Sequence, residues 1–185
     1  KQFNLNDKKI LLTGATGTLG RTFTEALINE GANLVLLDHQ DTDILQFSSL
    51  HNVKGIELDL TDEVDVVEAI DNAHSILGGF DGVINNAAAT SEFLLKTGEA
   101  FANFEDYPSK VWKHTLDVNL TGVFLICREA GKHMLSSGGS IINMSSIYGV
   151  RGPDHRIYED QLFKSMPGYS ASKAGVIGLT QWLAT

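Results

Sequence analysis

Lys9-Ile10-Leu11-Leu12-Thr13-Gly14-Ala15-Thr16-Gly17-Thr18-Leu19-Gly20 is the stretch on which the fold turns. A short apolar run passes into a glycine-rich turn. Behind the turn an amphipathic pattern predicts a helix over 19–30, with Phe23, Ala26, Leu27 and Ile28 apolar and Gly31 closing it. Strand, glycine turn and helix is the context that a phosphate-binding loop needs. Glycines let the backbone approach a pyrophosphate, and the helix N-terminus offers free N–H groups and the positive end of its dipole. On that basis Gly14, Thr16, Gly17, Thr18, Leu19 and Gly20 are candidate binding residues. A tight turn in any α/β protein would carry the same letters.

Working outward, the next strand, Asn33-Leu34-Val35-Leu36-Leu37, ends at Asp38. That carboxylate falls about 20 residues beyond the loop, where a dinucleotide fold puts the acid that binds a ribose 2′-hydroxyl. It would repel a 2′-phosphate, and Ala15, Thr16 and His39 offer no fixed arginine charge, so NAD is expected rather than NADP. A solvated Asp in a turn is the other reading. A short helical stretch over 42–50 and a strand over 53–58 follow, then Asp59-Leu60-Thr61-Asp62. Thr61 or Asp62 can cap a helix through Val64, Val67, Ala69, Ile70, His74 and Leu77. Asp59, with Leu60 beside it, is a candidate for an adenine contact, although helix entry alone would also explain an acid there. Strand Gly82-Val83-Ile84 runs into Asn85-Asn86-Ala87-Ala88, small residues that let the backbone close on a ligand while the Asn side chains pin neighbouring loops.

Residues 89–108 read as a loop with a short helix, broken by Thr97-Gly98 and Pro108. A single long amphipathic helix is predicted over 110–135. Asn119 sits in its middle, where Asn competes for backbone bonds; it would be tolerated on a wet face. Gly138-Gly139 turns the chain into strand Ser140-Ile141-Ile142-Asn143-Met144, which ends at Ser145-Ser146. Alternating strands and helices predict a doubly wound parallel α/β sheet with helices on both faces. Ligands bind outside the carboxyl ends of such strands, where the glycine loop, Asp38, Asp59, Asn86 and Ser146 all fall. Near the end of the chain, Tyr169 and Lys173 stand four residues apart, on one face of a predicted helix. A phenol is a poor acid-base group at neutral pH unless a neighbouring cation stabilises the phenolate, and Lys173 supplies that charge.

Composition narrows the alternatives. The chain has 185 residues, enough for one ordinary domain with a core, and is 43% hydrophobic and 20% charged, as in globular proteins. A net charge of −9 argues against nucleic acid or an anionic membrane as the main partner. No apolar run is long enough to span a bilayer, and the opening Lys1-Gln2-Phe3-Asn4-Leu5-Asn6 has no signal-peptide core. Cys127, the single cysteine, fits a small core residue and a reducing compartment, so a cytoplasmic protein is expected. The histidines show no metal-ligand spacing, so no metal is assigned.

Residues 13–20, Asp38, Asp59-Leu60, Asn85-Asn86-Ala87-Ala88, Asp117-Val118-Asn119, Ser145-Ser146 and 169–173 together resemble a short-chain dehydrogenase/reductase over the whole chain. The resemblance implies one Rossmann-type NAD-binding domain over 1–185 and an enzyme that interconverts a secondary alcohol and a ketone by hydride transfer. Tyr169 would be the general acid-base, and Lys173 would lower its pKa and bind the nicotinamide ribose. Ser146 would hydrogen-bond the substrate oxygen, and Asn119 would hold a water in the proton relay. Ser146 is preferred to Ser145 because it stands at the family's usual spacing before Gly149. Asn86, Ala87 and Ala88, with Tyr169 and Lys173, would complete the cofactor site. The resemblance further implies a small-molecule substrate and a homodimer or homotetramer.

Gly14, Gly17 and Gly20 have the spacing of the extended, sugar-nucleotide branch of that family. The 23-residue step from Ser146 to Tyr169 also resembles that branch, and single-domain reductases of bacterial surface-sugar and flagellin-glycan pathways. A polar, sugar-derived substrate is therefore expected. The alternative is a nucleotide-sugar epimerase or dehydratase with tightly bound NAD. Arg151, His155 and Arg156 lie in the long loop and either meet an anionic substrate group or form an ordinary solvated loop. The family implies two further strands and a substrate-binding segment after Thr185, so the chain reads as truncated there.

Overall fold

The computed structural model describes residues 4–39, 43–50, 52–91, 103–159 and 165–185. They form two compact units, one of residues 1–87 and 123–144, the other of 88–122 and 145–185.

The first unit contains a parallel sheet of five strands in the order β3-β2-β1-β4-β5. The strands are β1 (Lys9–Thr13), β2 (Asn33–Asp38), β3 (Val53–Glu57), β4 (Gly82–Asn85) and β5 (Ser140–Asn143). The central strands are near-continuous apolar runs because both of their faces are buried. Leu12, Leu34 and Leu36 pack on one face with Phe23, Leu27 and Ile28 of α1 (Thr18–Asn29). Leu11, Val35, Leu37 and Val83 pack on the other with Val66 and Ile70 of α2 (Glu63–Leu77). Ile126 and Ala130 join them there from the helix Gly122–Met134. The expected doubly wound arrangement, with helices on both faces, is therefore present. Asp62 caps α2, accepting from the Val64 and Asp65 N–H groups at 2.9 and 3.4 Å. Gly78 ends that helix at φ +69°, a left-handed conformation for which glycine carries no Cβ penalty. The chain reverses its winding between β1 and β4, so Gly14 and Asn86 leave adjacent strand ends at the topological switch point.

The second unit is helical. α3 (Ser109–Leu116) packs against the later helix Pro167–Leu183, with Thr115 closely facing Gly168. Val111 and Met166 are buried there, with Tyr107 and Tyr169 packed around them. The single helix predicted over 110–135 is interrupted. α3 gives way to a π-helical turn, Asp117–Thr121, before α4 (Gly122–Met134) resumes. Asn119 sits in that turn with no exposed surface, so the alternative reading of a polar residue tolerated on a wet face does not hold. Such wider turns are rare and occur mostly as single-turn bulges inside α-helices, frequently at functional sites. The helix Pro167–Leu183 is α5; Pro167 suits its first turn, where no intrahelical N–H bond is lost. No helix among the described residues is long and apolar enough to cross a membrane. Of residues 89–108, expected to be a loop with a short helix, 92–102 lie outside the described residues; Phe104–Asp106 forms a 3₁₀ turn.

Candidate active site

In the first unit the glycine loop is built against the end of β4. Gly14 has φ +68°, and a Cβ there would stand 2.6 Å from the Ala87 Cα. A Cβ on Gly20 would overlap the Gly14 carbonyl oxygen. Both glycines are therefore required by the chain itself. Gly17 is not. Its φ is −67°, and a Cβ would meet only the Gly14 oxygen at 3.5 Å, an ordinary contact. The loop thus carries a cradle that a methyl group would fill and the fold leaves open. No side chain caps α1 at Gly17, and its first turn has no acidic residue, so its N-terminus suits an anion such as a pyrophosphate. Gly17→Ala should leave stability within about 1 kcal/mol of the parent while weakening NAD binding at least about tenfold, the scale of one misplaced phosphate contact. Thermal melts and calorimetric titration of the two proteins check this.

Asp38 ends β2 and holds the loop. Its Oδ2 accepts from the Thr16 N–H and hydroxyl, both at 2.7 Å, and its Oδ1 accepts from the His39 N–H at 2.8 Å. Thr18 opens α1, and Leu19 is 56% exposed on its first turn. Asp59 accepts from the Thr61 N–H and hydroxyl at 2.9 and 2.7 Å, so helix entry is not its task; Asp62 is the cap. With His39, Glu57, Leu58 and Asp65, Asp59 lines a cavity of about 350 Å³, while Leu60 packs on the core. Asn86 pins the loop as expected, donating from Nδ2 to the Thr13 and Gly14 carbonyls at 3.2 and 3.0 Å. Thr13, which the sequence did not single out, accepts from the Asn86 and Ala87 N–H groups, both at 3.1 Å. A hydroxyl residue just before the first glycine was the available signal. Asn85, expected like Asn86 to pin a neighbouring loop, instead bridges two strands. Its amide donates to Asn143 at 2.8 Å and approaches Cys127 Sγ at 3.4 Å, linking β4 to β5. Cys127 is buried, as expected, and burial pushes its thiol pKa up.

The second unit begins at Ala88 and holds Asn119, Ser146, Tyr169 and Lys173. Asn119 Oδ1 accepts from the Ala89 N–H at 2.6 Å, and its Nδ2 donates to the Ala89 carbonyl at 3.1 Å. Its side chain thereby fixes the segment leaving Ala88 and retains one amide hydrogen. The two serines after β5 are distinguished by their bonds. Ser145 donates its hydroxyl proton to the Lys173 carbonyl at 2.8 Å, anchoring α5. Ser146 only accepts, from the Tyr148 N–H at 3.1 Å, so its own proton remains available to a ligand. Gly149 lies so close to α5 that a Cβ would stand 2.8 Å from the Lys173 carbonyl. Tyr169 and Lys173 share one face of α5, with the ammonium 5.7 Å from the phenol ring centroid. Lys173 is only 2% exposed, and burial alone pushes its pKa down to about 8.

A phosphate-ready loop at a Rossmann switch point, in a chain that also carries a buried lysine one turn from a tyrosine, has a family counterpart. The short chain dehydrogenase family model matches residues 8–185. The chain belongs to the short chain dehydrogenase family. This family member is 28% identical to an NAD-dependent glycerol dehydrogenase of Listeria innocua, over all of this chain and 66% of that protein. It is 34% identical to a 3-alpha-(or 20-beta)-hydroxysteroid dehydrogenase of Mycobacterium bovis, over 94% of this chain and 61% of the relative. The crystal structure of an NAD+-bound xylitol dehydrogenase superimposes with a TM-score of 0.81 at 29% identity, covering 98% of this chain and 65% of that one. The short chain dehydrogenase sequence thus spans somewhat under two thirds of the length of these relatives.

Proposed function

We propose that the intact protein is an NAD(H)-dependent oxidoreductase that interconverts a secondary alcohol and a ketone on a small, polar, sugar-derived substrate. The observation that carries this is Lys173. A lysine at 2% exposure is a costly group to keep, and this one stands beside Tyr169. The pair puts an ammonium and a phenol on one face of α5, the two groups that a proton transfer at one site needs. Tyr169 moves the proton to or from the substrate oxygen. Ser146 donates its free hydroxyl proton to that oxygen and fixes its position. Asn119 uses its remaining amide hydrogen to hold a water that resupplies Tyr169, and Lys173 also binds the ribose next to the nicotinamide. When bound, the nicotinamide supplies or accepts the hydride.

For the cofactor, Gly14, Thr16, Gly17, Thr18, Leu19 and Gly20 hold the pyrophosphate, and Asp59 and Leu60 meet the adenine. Asn86, Ala87 and Ala88 line the cofactor's course beyond the loop. Asp38 binds the adenosine ribose through the oxygen that Thr16 leaves open, and its charge rejects a 2′-phosphate. Asp38→Ser should therefore cut the preference for NAD over NADP by about tenfold or more, the value of removing one close repulsion. Ratios of kcat/KM with the two cofactors test it.

The Listeria and xylitol relatives are named for polyhydroxylated alcohols, which supports a polar substrate. The relatives reported above are all named dehydrogenases, which favours net oxidation or reduction over the epimerase or dehydratase cycle. Assembly as a cytoplasmic homodimer or homotetramer is part of the proposal. Phe124 on α4 and Trp182 on α5, 43% and 73% exposed, support an assembly. The test is incubation of the intact protein with NAD and a panel of polyols and sugar alcohols. Growth of NADH absorbance with one of them is expected. NAD that co-purifies and turns over a sugar nucleotide with no net absorbance change would overturn the assignment.

A further inference from the structure

The second unit contains a cavity of about 700 Å³ whose described walls come from the long loop after Ser146, the segment around Tyr107 and the start of α5. It adjoins the proposed catalytic residues. Tyr169 and Tyr107 both pack against the Val111 and Met166 cluster; Met166 and Tyr107 line the cavity, and the residue after Tyr169, Ser170, lines it as well. Tyr148, which donates to Ser146, is also a lining residue. The wall is not left to a loose loop. The Tyr148 and Tyr158 hydroxyls are bonded at 2.8 Å, and that bond, more than burial, pushes the Tyr158 pKa up to about 12. The Tyr158 hydroxyl therefore stays protonated and ties this part of the loop to Tyr148.

The charges around this cavity are one-sided. The chain has 23 acidic residues against 14 Lys and Arg, yet no carboxylate is among the described lining residues, which include Arg151 and His155. The other arginine of the loop, Arg156, is spent on Asp154. Its guanidinium grips both carboxylate oxygens at 2.6–3.2 Å, and Asp154 also accepts from the Arg156 N–H. Arg151 has no such partner among the described residues. An arginine presents a planar fork suited to carboxylate and phosphate oxygens.

We infer that the substrate carries one carboxylate or phosphate on a largely uncharged body, and that Arg151 recognises it in this cavity. This rests on the proposed oxidoreductase activity and names the substrate class for it. The alternative left open by the sequence, an anion site or a solvated loop, thus divides between Arg151 and Arg156.

The test uses the intact protein and two matched pairs of ketones, levulinate against its methyl ester and dihydroxyacetone phosphate against dihydroxyacetone. NADH-linked kcat/KM is measured for each, and binding is measured by saturation-transfer NMR. At least one anion should exceed its neutral partner by about tenfold, the scale of one partly screened charge-assisted contact. The pair that responds distinguishes carboxylate from phosphate. Arg151→Gln should abolish the preference, Arg151→Lys should restore part of it, and Arg156→Gln should leave it unchanged. Turnover with no charge preference, or a preference that survives Arg151→Gln, overturns the inference while the oxidoreductase assignment stands. Arg151-dependent binding of an anion without any hydride transfer supports Arg151 and overturns the oxidoreductase assignment instead.

Discussion

Tyr169→Phe is expected to lower kcat about a thousandfold, within the range that a positioned general acid-base contributes. The phenylalanine ring keeps the packing against the Val111 and Met166 cluster, so the melting temperature should stay within a few degrees of the parent. Cofactor affinity should fall far less than kcat, because Tyr169 is one of many residues proposed to hold the cofactor but the one proposed to move the proton. Steady-state kinetics, a thermal melt and an NAD titration on the same preparation separate these effects. Retained turnover would sink the assigned chemistry, whereas a collapsed melt would show that the hydroxyl is structural.

Lys173→Met should remove turnover to a similar degree and make the cofactor-free protein more stable. Burial displaces the ammonium from the ordinary 10.5 to about 8. That displacement corresponds to a cost of about 3 kcal/mol for holding the charged form in the fold. The sign follows from proton counting. Between about pH 8 and 10.5 the unfolded chain binds more protons at this residue than the native state does, so stability rises with pH there. Below about pH 8 the whole cost is present. Lys173→Met should therefore gain about 1–3 kcal/mol over the parent at neutral pH, with the gap closing as pH rises through that window. Urea unfolding at pH 7 and pH 9.5 measures both ends. A less stable variant at pH 7 would mean that Lys173 is retained for the fold.

These two expectations share a cause. A lysine at 2% exposure beside a phenol is costly to keep, and the proposed proton transfer supplies a reason to keep it. The same logic sorts the loop glycines. Gly14 and Gly20 are glycine because the chain collides with any Cβ, while Gly17 is glycine where only an external ligand would object.

Much of this was legible from residue order. Runs such as Leu34–Leu37 read as buried strands because a parallel sheet hides both faces, and the alternation of strands and helices implied the sheet's winding. Candidate site residues were legible because that winding puts binding residues at strand ends, which are positions in the sequence. Hydrogen-bond partners were not legible, since they depend on where separate segments meet. The pattern over 110–135 showed one helix. The π-turn at Asp117–Thr121 goes with a bond from Asn119 to Ala89, 30 residues earlier. Ser145 and Ser146 are adjacent and identical in type. Only the approach of the Lys173 carbonyl to Ser145 shows which hydroxyl proton is committed.

By itself, then, the sequence determined the parallel α/β class, the phosphate-ready loop, the acid at Asp38 and the Tyr169–Lys173 pair. All of these follow from local periodicity and spacing. Tertiary structure alone decided that Lys173 is buried, that Gly17 is open, that Asp38 already holds Thr16, and that Arg156 is neutralised while Arg151 faces a cavity. Burial, open space and charge pairing arise between residues far apart in the chain, and no local pattern encodes them.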